Sequence, residues 1–74
     1  MKARSLPSTV TLPISPIIEM GHLRIALADP SRQLLSVWRK HGFPDGWREG
    51  RQAFIATDTV SNWLQGQGVT VRRI

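Results

Sequence analysis

Asp29-Pro30-Ser31-Arg32-Gln33-Leu34-Leu35-Ser36-Val37-Trp38-Arg39-Lys40-His41-Gly42-Phe43-Pro44 is the stretch on which the fold turns. Leu34, Leu35 and Trp38 recur at helical spacing, which predicts one helix from Pro30 to about His41. Asp29 suits its N-cap, Pro30 its first position and Gly42 its C-terminal stop. The remaining surface carries Ser31, Arg32, Gln33, Ser36, Arg39 and Lys40. One helix therefore has an apolar stripe and a basic, hydrogen-bonding face.

Upstream, Glu19 to Ala28 reads as a first helix, because Met20, Leu23, Ala26 and Leu27 share one helical face. Gly21 weakens its first turn, and Asp29-Pro30 ends it, since proline pushes the preceding residue out of the α region. Two short helices joined this tightly outline a helix-turn-helix. Residues 1–18, with Pro7, Pro13 and Pro16, read as an extended or flexible arm. Within it Thr9-Val10-Thr11-Leu12 alternates like a short edge strand, and Ile17-Ile18 is an apolar anchor onto the core.

Downstream, Trp47-Arg48 leads into a turn at Glu49-Gly50, and Arg51 to Ala56 returns as the second arm of a hairpin. Phe54 and Ala56 face one way, Ala53 and Ile55 the other, and Phe54 is assigned to the core. Arg48 and Arg51 stand at the tip with Gln52 beside them. Thr57 is read as the N-cap of a third helix, with Asp58 in its first turn and Val60, Trp63 and Leu64 as its buried stripe. Beyond Gly66 and Gly68, residues 69–74 form a basic tail, either a further strand or a mobile end.

The predicted architecture is α+β: a small winged helix-turn-helix over residues 19–68, with three short helices and a β-hairpin wing. Its expected core is Leu23, Leu27, Leu34, Leu35, Trp38, Phe43, Phe54, Val60, Trp63 and Leu64.

Composition narrows the function. The chain has 74 residues, ten Lys and Arg against five Asp and Glu, and no cysteine. A domain this size buries only roughly 60% of its unfolded surface, which leaves no deep substrate cavity. The absence of cysteine excludes disulfides and thiolate metal sites. The net charge of +5 favours a polyanionic partner. No apolar run reaches the roughly 18–20 residues of a membrane span, and the early prolines break up any signal-peptide core, so a cytoplasmic protein without membrane partners is expected.

An enzyme is not expected, nor a cofactor or metal. His22 and His41 have no carboxylate at metal-ligand spacing, and surface or cap roles account for them. Asp29, Asp45 and Asp58 sit at turns or helix starts, where capping accounts for them. No serine has a nucleophile-elbow context and no glycine pattern resembles a phosphate loop. Trp38 and Trp63 lie beside leucines on helical stripes and are read as packing residues; Trp47 opens the hairpin and is the candidate for exposure.

The groups that remain are those that read base edges and hold phosphates: Arg32, Gln33, Ser36, Arg39 and Lys40 on the second helix, and Arg48 and Arg51 on a glycine turn able to grip a minor groove or its phosphates. The contrasting reading is a small adaptor whose basic face meets an acidic protein.

Val37-Trp38-Arg39-Lys40-His41-Gly42-Phe43-Pro44, then Gly50-Arg51, then Val60 and Trp63-Leu64, resembles the small excisionases of phages and mobile elements. These belong to the MerR-like winged-helix group, with AlpA-type prophage regulators and Cox-type proteins. The resemblance covers about residues 20–65. It implies a non-catalytic architectural protein that binds double-stranded DNA cooperatively with further copies of itself, bends it, directs an integrase (a tyrosine recombinase) toward excision, and in several relatives represses a promoter. Carried over, the polar residues of the second helix face the major groove and Arg48 and Arg51 serve the wing. Relatives often place arginines just before the helix tryptophan; this chain has Ser36 and Val37 there.

Overall fold

The computed structural model describes residues 5–74. The second helix, α2 (Arg32–Lys40), is capped by Ser31, whose hydroxyl oxygen accepts from the Leu34 N–H at 3.1 Å. Asp29 is therefore not the N-cap, and Pro30 is not the first helical residue. The cause lies in the helix before it. α1 (Met20–Ala26) must satisfy its last carbonyls, and it does so through a Schellman closure. The Ala28 N–H donates to the Ile25 carbonyl at 3.1 Å and the Asp29 N–H to that of Arg24 at 2.6 Å. Both residues take left-handed backbone, φ 66° and 49°. Asp29 belongs to the end of one helix and cannot begin the next. Ala28 occupies a position that favours glycine, at a cost of roughly 1–2 kcal/mol for an L-residue. Ala28→Gly is expected to raise stability by roughly 0.5–1 kcal/mol in urea denaturation, the relief being partly offset by glycine's freedom in the unfolded chain.

α2 ends at Gly42 by the same motif, with glycine in place (φ 93°). The Gly42 N–H donates to the Arg39 carbonyl and the Phe43 N–H to that of Trp38, both at 3.1 Å. Phe43 then packs on Trp38, ring centroids 6.2 Å apart.

The hairpin joins β3 (Trp47–Glu49) to β4 (Gln52–Ala56). Its two-residue loop is Gly50-Arg51, one position later than the Glu49-Gly50 turn anticipated from the sequence. Gly50, at φ 62°, takes the first central position, the glycine placement of a type II′ turn. The earlier turn would set Arg48 opposite Arg51, like charge against like charge. The observed register instead sets Trp47 opposite Phe54, whose ring centroids are 6.2 Å apart.

The described part of the arm anticipated over residues 1–18 is built into the fold. Residues 1–4 lie outside the described residues. β1 (Thr9–Leu12) pairs in parallel with β5 (Thr70–Arg73), so the basic tail is a strand too. β2 (Ile17–Glu19) pairs antiparallel with β4, giving a three-stranded sheet in the order β2-β4-β3. An isolated two-stranded ribbon is marginal in water; here Val10 and Leu12 are buried while Thr9 and Thr11 face out. Arg73 fastens the ribbon, donating from Nε to the Pro13 carbonyl at 2.9 Å and from Nη1 to Asp58 at 2.9 Å.

The third helix, α3 (Thr57–Gly66), has Ala56 and not Thr57 as its N-cap. Pairing of β2 with β4 runs to the helix start, where the Thr57 N–H donates to the Pro16 carbonyl at 3.1 Å. The Thr57 hydroxyl is thereby buried inside the first turn.

Three helices and five strands among the described residues make a small α+β fold with one core. Leu23, Leu27, Leu35, Trp38, Phe43, Val60 and Leu64 are buried in it. So are Leu6, Val10, Leu12, Ile18 and Val69, drawn from the segments before residue 19 and after residue 68. Leu34 and Trp63 are partly buried against its edge. Phe54 is not in the core: Ile55, on the opposite face of β4, takes the place assigned to it, and Phe54 lies outside against Trp47. No helix among the described residues is long and apolar enough to cross a membrane.

Candidate nucleic-acid interface

Three contacts aim α2. At its start, Arg24 of α1 donates from Nη2 to the Pro30 carbonyl at 3.0 Å and pairs with Asp29 at 3.5 Å, tying the α1–α2 turn together. At its end, the Trp63 indole N–H of α3 donates to the His41 carbonyl at 3.0 Å, satisfying one of the helix's orphan acceptors. Between them Trp38, Phe43 and Trp63 pack as a trio; the Phe43 and Trp63 rings meet edge to face at 5.0 Å and 83°. Neither the Arg24 clamp nor the Trp63 cap was anticipated. An arginine a turn before Asp-Pro was the available signal for the first.

With its apolar stripe held, α2 leaves Arg32, Gln33, Ser36, Arg39 and Lys40 exposed. Ser31 is exposed as well, but its oxygen is engaged as the cap, which leaves its O–H to donate. Arg48 and Arg51 are exposed on the hairpin. Gln52 is turned to a local partner: its Nε2 donates to Glu19 Oε2 at 3.1 Å across the sheet. Among the described residues the two ion pairs are Arg24–Asp29 and Arg73–Asp58. Arg32, Arg39, Lys40, Arg48, Arg51 and Arg72 are thus cations with no acidic partner there.

The residues picked out from the sequence do not form one cluster. Arg39, from the last turn of α2, and Arg48, from β3, line a common groove of about 470 Å³ with Met20, Asp45, Gly46, Trp47, Ala53 and Phe54. Asp45 is the carboxylate among them. Gln33 and Ser31 line a separate hollow with Ser5, Leu34 and Val37. Arg51 stands at the hairpin tip.

Gly46 shapes the first groove, because a Cβ there would sit 1.9 Å from the Phe54 carbonyl oxygen. The Pro44-Asp45-Gly46 run looks like ordinary turn chemistry, yet glycine is needed for close approach to β4. Gly46→Ala is expected to cost about 2 kcal/mol or more in thermal unfolding, as an overpacked position that backbone movement must relieve. Chemically, the groove brings two guanidinium groups, an indole and the Asp45 carboxylate into one lining. Guanidinium groups suit anionic oxygens through paired N–H donors.

No protein family, curated protein or solved structure matches this chain.

Proposed function

We propose that the protein is a small double-stranded DNA-binding module of the winged helix-turn-helix kind, with α2 as the recognition helix and the β3–β4 hairpin as the wing. The observation that carries this reading is the convergence of Arg39 and Arg48, both without an acidic partner among the described residues, on one groove between α2 and the hairpin. Arg32, Gln33 and Ser36 add the donor and acceptor groups that discriminate base edges. Arg39, Lys40, Arg48 and Arg51 hold the flanking phosphates, contacts that position the protein without reading sequence.

DNA affinity measured against salt tests this. The association constant is expected to fall steeply, by about 0.9 log units per phosphate contact per log unit of salt. A flat response at modest salt contradicts DNA binding and supports the protein-adaptor reading instead.

The finer role is an excisionase acting in the bacterial cytoplasm without catalysis or cofactor. Its support is the resemblance carried by Trp38, Phe43-Pro44, Gly50-Arg51 and Trp63-Leu64. With purified integrase and attachment-site DNA, added protein is expected to stimulate excision. Unchanged recombination together with promoter repression would make it a prophage transcriptional regulator.

A further inference from the structure

The hollow beside the first half of α2 differs in chemistry from the arginine groove. Its volume is about 340 Å³, and its lining is Ser5, Ser31, Gln33, Leu34 and Val37, none of them charged. Gln33 and Val37 are four residues apart, so they stand side by side on one face of the helix. Gln33 is exposed and Val37 half-buried. Yet Val37 is not among the side chains packed in or against the core, where its helical neighbours Leu34 and Trp38 belong. Nor does the helix itself call for a valine there, since a β-branched residue lowers helix propensity. The side chain stands as an apolar wall next to an amide.

On the DNA-binding reading, on which this assignment rests, that pair of groups selects among bases. A glutamine amide carries donor and acceptor together, matching N7 and the N6 amino group of adenine. An apolar side chain meets the C5 methyl of thymine. Guanine calls for arginine or lysine and cytosine for a carboxylate, and the lining holds none of these. Without a cation the hollow also lacks the charge-assisted hydrogen bonds that grip phosphate. Helix neighbours four residues apart are roughly 5–6 Å from each other. With base pairs stacked roughly 3.4 Å apart, the two side chains reach the same pair or adjacent ones.

We propose that Val37 is a specificity-determining residue. It packs on a thymine methyl beside an adenine that Gln33 reads, so that α2 selects A·T pairs at this point. Neither contact involves a phosphate, so both add discrimination without adding to the salt dependence. Burial of one methyl is expected to change affinity about fourfold.

Selection from a pool of duplexes with randomised centres supplies the probe. Wild type is expected to enrich sites with adenine and thymine in the same or adjacent pairs. Thymines of the enriched duplex are then replaced singly by deoxyuridine, which deletes only the methyl, and affinity is read by fluorescence anisotropy. One replacement is expected to weaken wild-type binding about fourfold. Val37→Ala is expected to bind the thymine duplex about fourfold more weakly and to be indifferent to that deoxyuridine. Its circular dichroism is expected to match wild type, since alanine suits a helix better than valine. Gln33→Ala is expected to lose the preference for adenine. Both variants are expected to keep the wild-type slope of log affinity against log salt. Three results overturn the proposal while leaving DNA binding in place: salt-dependent binding with no enriched sequence, an enriched site insensitive to every deoxyuridine, or a deoxyuridine effect that Val37→Ala retains. Absence of salt-dependent duplex binding by wild type overturns both.

Discussion

Trp38→Ala is expected to lower the stability of the domain by about 3–5 kcal/mol, which is most of what so small a fold possesses. The indole is fully buried and touches two aromatic neighbours, Phe43 and Trp63. Its carbonyl also accepts the Phe43 N–H that closes α2. Removing the ring opens a cavity where α2, the loop after it and α3 meet, and collapse is limited because α3 is also pinned through the Trp63 indole to the His41 carbonyl. Urea denaturation followed by circular dichroism reads the loss directly. A Trp38→Ala chain of unchanged stability that nonetheless fails to bind DNA would mean that the ring faces the ligand.

Removing the two groove arginines together, Arg39→Ala with Arg48→Ala, is expected to weaken DNA binding on the order of 100-fold without unfolding the protein. Both side chains are exposed and make no ion pair among the described residues, so the fold loses little. The salt dependence is the sharper readout. If each holds one phosphate, the double variant loses about 1.8 from the slope of log affinity against log salt. Affinity lost equally on every sequence identifies phosphate contacts; loss confined to one site identifies base reading. Unchanged affinity would remove the groove from the interface.

What could be read in advance follows from the range of the interactions concerned. α2 and its stop at Gly42 are written locally, in the spacing of Leu34, Leu35 and Trp38 and in one glycine able to take positive φ. The hairpin was legible as a hairpin, but its turn was misplaced by one residue, because the choice depended on which cross-strand pair formed. Trp47 with Phe54 wins over Arg48 with Arg51 only when both strands are considered. The face of β4 was misjudged for a related reason. Phe54 and Ile55 are both apolar, and the alternation alone does not say which side meets the helices.

The β1–β5 ribbon was least visible, since it joins residues near the two ends of the chain in a parallel pairing that no local signal announces. The basic residues of α2 and the hairpin were legible as a set. Their division was not, because the groove uniting Arg39 with Arg48 depends on the close approach of Gly46 to Phe54.

On the proposed reading, α2 and the β3–β4 hairpin together form the surface that meets DNA. Titrating the isotope-labelled protein with a duplex from its own genetic element, while following backbone amide chemical shifts, tests it most directly. The largest changes are expected at Arg32 to Lys40 and at Trp47 to Arg51, with the β1–β5 ribbon little affected. Shifts centred on the ribbon and α1, or no shifts at low salt, would contradict it.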